Sequence, residues 1–259
     1  MIEKLKTGLW YLRNPAFWRH GMALVVGKLT NARRHALLRD QATAWAAERA
    51  VSAEEALTRL GVYDPATGAF PAIPDEVIRE AEANVRSARV QMGGPADLEL
   101  LYAAVVLATP ETAVETGVAY GWSSAIILAA MERNGTGRLI SVDMPYAKRN
   151  NEPWVGVAVA DRLRRRWRLI RRPDRGGIGE AIAASGGAID LCHYDSDKSY
   201  PGRMYAYPRL WAALRPGGLF ISDDIQDNFG FRDFCERNSI EFQVTSSGGK
   251  FIGVAQKAA

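Results

Sequence analysis

Cysteine is nearly missing from this chain: two residues in 259, Cys192 and Cys235. Both sit in apolar contexts without metal-ligand spacing. They read as reduced, buried side chains, which leaves no thiolate metal site and fits a cytoplasmic protein. Histidine is almost as scarce. His20 and His35 fall in a basic N-terminal stretch, and His193 lies inside an apolar run, where it reads as a core residue. Long apolar runs are also missing from the N-terminal stretch, where the longest, Met22 to Val26, is far too short to span a bilayer. The longer apolar core and small-residue cleavage site of a secretory signal are not visible there. Internal repeats and low-complexity tracts are absent as well.

Charge is present but unevenly placed. The formal net charge is +4. Residues 1–39 carry eight Lys/Arg against the single acid Glu3, and the remaining residues carry 25 basic and 28 acidic groups. The basicity therefore belongs to the N-terminal stretch. The rest is slightly acidic, which argues against a nucleic-acid partner. Residues 1–39 interleave these cations with Trp10, Tyr11, Phe17 and Trp18. They read as a helical arm, either packed on the domain or a partner subunit, or lying on an anionic membrane surface. The localisation expected is cytoplasmic, with the inner membrane surface open through this arm. Residues 40–104 read as a helical cap: Ser52-Ala53-Glu54-Glu55 is a capping box, and 70–74 is a proline-bearing linker.

The informative part begins near residue 105. Thr112 to Val114 is a short apolar run ending in Glu115, then a turn Gly117-Val118-Ala119-Tyr120-Gly121, then an apolar helix from Ser123. Gly135-Thr136-Gly137 stops that helix, and Leu139 to Val142 is a second apolar run ending in Asp143. This pattern reads as strand, glycine turn, helix, strand, with an acid at each strand end. Gly117 and Gly121 would let the backbone approach a ligand closely. Ser123 or Ser124 would cap the helix, whose free N–H groups suit an anion. Asp143, 28 residues after Glu115, would accept hydrogen bonds from the hydroxyls of a ribose. The loop from Met144 to Val157, with Tyr146, Lys148, Arg149 and Trp154, is placed to shape a pocket. Beyond it, residues 160–167 read as an arginine-dense, solvated helix face.

A second group of acids follows. Residues 188–194 form a strand leading into Asp195-Ser196-Asp197-Lys198-Ser199-Tyr200. After a helix from 201 to 214 and a tight turn at 215–218, the strand 219–222 is closed by Asp223-Asp224. Neighbouring parallel strands would bring Asp195, Asp223 and Asp224 to one edge. There they repel one another unless protonated or bridged by a cation, and hard oxygens suit Mg²⁺, Mn²⁺ or Ca²⁺. Capping and turn formation is the alternative role for these acids. An antiparallel hairpin at 240–255 closes the chain.

The pattern E-x-G-x-x-x-G-x-S with the later S-V-D resembles motifs I and II of class I S-adenosylmethionine-dependent methyltransferases. D-x-D-K-S-Y, L-R-P-G-G and S-D-D-I resemble the small-molecule O-methyltransferase group related to macrolide-sugar O-methyltransferases and cephalosporin-hydroxylase-like proteins. The resemblance covers about residues 105–257. It implies a Rossmann-like, seven-stranded α/β sheet over 105–259, mostly parallel with an antiparallel C-terminal hairpin. It also implies O-methylation of a hydroxyl on a small molecule, a sugar or glycosylated metabolite. S-adenosyl-L-methionine would be held by Glu115, Gly117, Tyr120, Gly121, Ser123, Asp143 and Asp174. A divalent cation, Mg²⁺ first, would be held by Asp195, Asp223 and Asp224. Relatives often carry His where this chain has Lys198, so Lys198, with Asp195, is the candidate base and must act as a neutral amine. Two readings from other classes stay open: a non-catalytic membrane-surface or assembly protein on this scaffold, and a hydroxylase-like metal enzyme.

Overall fold

The computed structural model describes residues 32–146 and 150–258, with Asn14 and Trp18. Lys148, Arg149 and most of the basic arm, with the expectations attached to them, lie outside the described residues. The α-helices with described bounds are α1 (Ala32–Ala47), α2 (Ala53–Arg59), α3 (Asp75–Arg86), α4 (Leu98–Ala108), α5 (Trp122–Arg133), α6 (Asp174–Ala184), α7 (Tyr200–Ala213) and α8 (Gly230–Arg237). The strands are β1 (Ala50–Val51), β2 (Thr112–Thr116), β3 (Arg138–Val142), β4 (Trp167–Ile170), β5 (Ile189–Tyr194), β6 (Leu214–Ser222), β7 (Phe242–Ser247) and β8 (Lys250–Gln256).

They form one sheet in the order β1-β7-β8-β6-β5-β2-β3-β4. The five strands from β6 to β4 are mutually parallel, and β8 runs antiparallel to both β6 and β7. The expected seven strands are thus β2 to β8, and the two-residue β1 adds an eighth at the edge beside β7. Because side chains alternate across a strand, neighbouring apolar runs feed two cores. Ala113, Leu139, Leu191 and Leu219 face α4 and α5, with Leu101, Ile126 and Met131. Val114, Ile140, Cys192 and Phe220 face the other layer, with Ile178 of α6, Tyr207 and Leu210 of α7 and Phe234 of α8. Both cysteines are buried free thiols.

Parallel register puts the strand ends in one row: Thr116 opposite Val142 and Tyr194, Val142 opposite Ile170, and Tyr194 opposite Ser222. The residue after each end extends the pairing. Gly117 N–H donates to Val142 O at 2.8 Å, Asp143 N–H to Ile170 O at 3.0 Å, Asp195 N–H to Thr116 O at 2.8 Å and Asp223 N–H to Tyr194 O at 2.9 Å. The first of these five strands in sequence, β2, lies between β3 and β5, so the chain winds outward in both directions from it. A crevice opens at such a switch point, beyond the carboxyl ends of the strands.

Three local expectations are corrected. Residues 161–166 form a 3₁₀ turn rather than an α-helix, and Trp167 already begins β4. The arginines there are committed to the fold: Arg166 donates to the carbonyls of Gly135 and Gly137 at 3.0 Å each, and Arg164 to that of Gly156 at 2.9 Å. The segment Arg215–Gly218 runs inside β6, where the pairing with β5 shifts register, instead of forming a separate turn. And α1 crosses the expected boundary at residue 39. Its Ala42 and Ala46 are buried, Trp45 meets the rings of Phe229 and Phe242, and Arg39 pairs with Asp227 at 3.2 Å.

Candidate active site

The glycine turn leaves β2 at Gly117, φ +81, and enters α5 at Gly121, φ +85. Both φ values lie in the left-handed region that favours glycine. The close approach they permit is to the chain itself. A β-carbon on Gly117 would overlap the carbonyl oxygen of Asp195, and one on Gly121 would stand 2.9 Å from Gly156 Cα. Gly121 is also the N-cap of α5 and supplies no side-chain acceptor, so neither serine caps the helix. Their hydroxyls turn inward. Ser123 donates to Glu115 Oε1 at 2.6 Å, Ser124 to Oε2, and Ser141 to Oε2 at 2.7 Å, while Trp167 Nε1 donates to the Ser141 hydroxyl at 2.8 Å. His193 Nδ1 lies 3.4 Å from Glu115 Oε1. Burial alone would push the Glu115 carboxyl up. His193 and the serine hydroxyls outweigh it and hold the group below its ordinary range. Burial works against a charged His193, but the hydrogen bond and charge of Glu115 raise it. Glu115 sits one residue inside the strand end, fully buried, and ties β2, β3, β5 and α5 together.

Tyr120 is likewise turned away from the crevice. Its hydroxyl donates to Val90 O and accepts from Met92 N–H at 3.2 Å, pinning the segment before α4.

At the end of β3, Asp143 accepts from Val118 N–H at 3.3 Å and pairs with Arg171, whose guanidinium also donates to Asp143 O at 3.1 Å. The same guanidinium grips both oxygens of Glu152 at 2.8 Å, and Glu152 in turn accepts from Tyr146 N–H at 2.5 Å. Asp143 is 8% exposed, and burial raises its pKa to about 6, with Arg171 the chief opposing influence. Burial, with the Asp143 charge, pushes the Tyr146 phenol up to about 12, so it remains a donor at neutral pH. Asp174, at the first position of α6, accepts from the hydroxyls of Ser196 at 2.6 Å and Tyr194 at 3.2 Å, and burial raises it.

The second acid group converges as expected. One oxygen from each of Asp195, Asp223 and Asp224 lies within 4.8 Å of the others. Lys198 Nζ is 3.1 Å from Asp195 Oδ1 and pairs with Asp224, and Lys250, the first residue of β8, is 3.3 Å from Asp223 Oδ2. Burial raises the Asp195 carboxyl, the Asp223 charge raises it further, and Lys198 and His193 oppose them. Gln226 Nε2 donates to Asp224 Oδ1 at 3.1 Å. Asp197 turns the other way, accepting from Ser199 N–H at 3.0 Å at the start of α7.

A cavity of about 1020 Å³ lies along this edge. Of the predicted site residues, Gly117, Ser123, Asp143, Asp174, Asp195 and Lys198 line it; Glu115, Tyr120, Gly121, Asp223 and Asp224 do not. Gly93, Trp122, Met144 and Tyr146 supply much of the remaining wall. Sequence reasoning missed Arg171, Glu152, Lys250 and Arg203. The first looked like one arginine of a basic run, and the others carry no local pattern that points to the crevice.

Residues 114–225 match the family model described as a methyltransferase domain. No curated protein matches the chain. Among solved structures, it is similar to an O-methyltransferase from Bacillus cereus in complex with SAH, at 16% identity, covering 72% of this chain and 92% of that one with TM-score 0.52. It is similar to the O-methyltransferase TomG from Streptomyces achromogenes, involved in tomaymycin synthesis and in complex with SAM, at 17% identity, 72% and 92% coverage and TM-score 0.53. A methyltransferase from Geobacter sulfurreducens aligns at 19% identity over 78% of this chain and 96% of that one, TM-score 0.53. Residues 114–225 thus match a methyltransferase-domain model, and the chain shares the fold of these solved class I methyltransferases.

Proposed function

We propose that this protein transfers the methyl group of S-adenosylmethionine to a hydroxyl of a small molecule, with a divalent cation assisting. The observation that carries this reading is that Lys198 and Asp195, which line the cavity with Asp143, meet Asp223 and Asp224 just behind its wall. A sugar or glycosylated acceptor rests on the likeness of the D-x-D-K-S-Y and S-D-D-I segments to macrolide-sugar O-methyltransferases. At about 1020 Å³, the cavity is at the upper end of small-molecule sites, with room for cofactor and acceptor together.

The cofactor supplies an electrophilic methyl group on a sulfonium. Asp143 would offer a carboxylate to the two hydroxyls of its ribose, and Asp174, the first residue of α6 on the cavity wall, would meet the adenine. Trp122, Met144, Pro145 and Tyr146 wall the crevice and exclude water. Lys198 Nζ, which Asp195 holds in place at the cavity wall, is the group placed to take up the acceptor's hydroxyl proton. General-base help of this kind is worth about 10²–10⁴-fold in rate.

The trio suits a hard cation. Its donors are all carboxylate oxygens, they already lie together, and Asp223 Oδ1 is buried without a hydrogen-bond partner. Asp195, Asp223 and Asp224 would hold the ion, which would lower the proton affinity of a bound acceptor oxygen. A second reading has its own observation: Lys198 and Lys250 already offset two of the three negative charges, so the chain could neutralise the trio unaided.

Calorimetry with S-adenosylmethionine and S-adenosylhomocysteine tests the cofactor; no binding at millimolar concentration would sink the proposal. A screen of hydroxylated acceptors with labelled cofactor names the substrate. Loss of turnover in Lys198→Ala with cofactor affinity intact, and joint loss of metal and activity in Asp223→Ala, are the expected results. Full activity of Lys198→Ala in excess chelator would refute both roles. Membrane-surface contact or self-association through the basic arm belongs to the same proposal. Among the described residues no helix is long and apolar enough to cross a membrane.

A further inference from the structure

Arg203 has the largest side chain among those fully buried in the described residues, at 0% exposure, and no carboxylate pairs with it there. It lies in the first turns of α7, directly behind the segment that carries two of the three acids. Its Nη2 donates to Asp223 O at 3.3 Å and to Asp224 O at 2.6 Å, while Nε and Nη1 have no hydrogen-bond partner. The Tyr207 phenol lies close enough to feel its charge: burial raises that phenol, and the guanidinium opposes the rise. A buried cation without an acid partner is costly, and chains keep one only where something compensates.

The compensation available is the backbone of the acidic pair. Where β6 ends, Asp223 N–H still pairs with the sheet, but the carbonyls of Asp223 and Asp224 leave it and are buried. Buried carbonyls need donors: Asp223 O accepts from Arg203, and Asp224 O from Arg203 and from Asp227 N–H at 3.1 Å. Asp224 also adopts a left-handed conformation, φ +51 and ψ +40, uncommon for a residue with a β-carbon. The turn is gripped from in front by Gln226, which binds Asp224 Oδ1 and accepts from Phe251 N–H at 3.0 Å. It is gripped from behind by Arg203. Gly230 gives Arg203 its space, since a β-carbon there would stand 2.9 Å from Arg203 Cδ.

We propose that Arg203 is a positioning residue for this site: its guanidinium clamps the Asp223–Asp224 turn so that both carboxylates face Asp195 and Lys198. Its fixed positive charge, bonded to the backbone of two of the three acids, offsets part of their mutual repulsion. The consequence for cation binding rests on the metal-assisted reading above; the clamp itself does not.

Two substitutions test it in the full chain. Arg203→Met keeps the stem but removes charge and donors; Arg203→Lys keeps the charge with a shorter reach. Three quantities are measured: S-adenosylhomocysteine affinity by calorimetry, Mn²⁺ affinity by electron paramagnetic resonance, and amide hydrogen exchange over residues 222–229. Arg203→Met should bind S-adenosylhomocysteine as the parent does, lose exchange protection at 223–228, and bind Mn²⁺ about 10–100-fold more weakly, the usual effect of removing a group that orients metal ligands. Arg203→Lys should fall between the two. Parental exchange and Mn²⁺ affinity in a variant that still binds S-adenosylhomocysteine overturns the proposal. If Arg203→Met does not fold, Arg203→Lys decides by the same criteria. If the parent binds no Mn²⁺, the metal-assisted reading falls, and exchange alone then supports or overturns the clamp.

Discussion

Arg171→Gln should move the pH at which the protein loses its cofactor. Asp143 is nearly buried, and its pKa is raised to about 6 even with the guanidinium beside it. An opposite charge in contact typically holds an acid about 1–3 pH units lower than it would otherwise titrate. Without Arg171, Asp143 should therefore titrate at or above about pH 7 and be largely protonated under ordinary assay conditions. A protonated carboxyl can no longer accept from both ribose hydroxyls. Parental affinity for S-adenosylhomocysteine should be flat above about pH 6 and weaken below it, up to tenfold per pH unit. In Arg171→Gln the weakening should begin about 1–3 pH units higher. Calorimetry between pH 5 and 8.5 on both proteins measures this. Glu152→Gln, which loosens Arg171 without removing it, should shift the profile less. Overlapping profiles for parent and Arg171→Gln would refute the role given to the Asp143–Arg171 pair. Apo stability should run the opposite way. A carboxyl raised from 3.8 to about 6 on folding favours the native state when protonated, so its contribution is fully present below about pH 3.8 and is lost as pH rises through 6. The difference is on the order of 3 kcal/mol, and comparison of the parent with Asp143→Asn by denaturant unfolding across that window isolates it.

Glu115→Gln should destabilise the fold by about 3–5 kcal/mol, since it leaves His193 and three serine donors around an uncharged group; urea unfolding measures it, and a loss under 1 kcal/mol would mean the network is dispensable. Gly117→Ala forces a β-carbon onto the Asp195 carbonyl at a left-handed φ, so soluble yield, melting temperature and activity should fall together; parental stability would contradict the close approach. Lys250→Ala separates the two readings of the acid trio: Mn²⁺ should bind more tightly if a metal displaces the lysine, whereas weaker turnover with no metal dependence favours neutralisation by the chain. Removing residues 1–31, which leaves α1 whole, should keep cofactor affinity while changing liposome binding or mass in solution; no change in either would end the arm proposal.

Much of this arrangement follows from local pattern. Short, mostly apolar runs, each followed by an acid and alternating with helical segments, fit buried parallel strands with chemistry at their carboxyl ends, so Asp143, Asp195, Asp223 and Asp224 could be assigned to one edge without coordinates. The hairpin after Ile240 and the stop at Gly135–Gly137 are equally local. What sequence could not convey is which way a polar side chain turns once it reaches the edge. Glu115 has the spacing of a ligand-binding acid, but it lies one residue short of the strand end. The next layer inward is closed by Ser123, Ser124, Ser141 and His193 from three other elements, so the acid is spent on cohesion. The glycines of the turn look like room for a ligand, and the room is taken by Asp195 and Gly156, distant in sequence from Gly117 and Gly121. The arginines after residue 160 look like a solvated helix face, and Arg162, Arg164 and Arg165 are exposed as such a face would be; but contacts with Gly135, Gly137, Gly156 and Glu132 from other parts of the chain hold the run as a 3₁₀ turn rather than an α-helix. Residue order thus determines the strand ends and the acids upon them. Only packing between elements distant in sequence decides which acids meet the cavity, because a buried polar group is satisfied by whatever donor the folded chain brings within 3 Å, and that neighbour is rarely nearby in sequence.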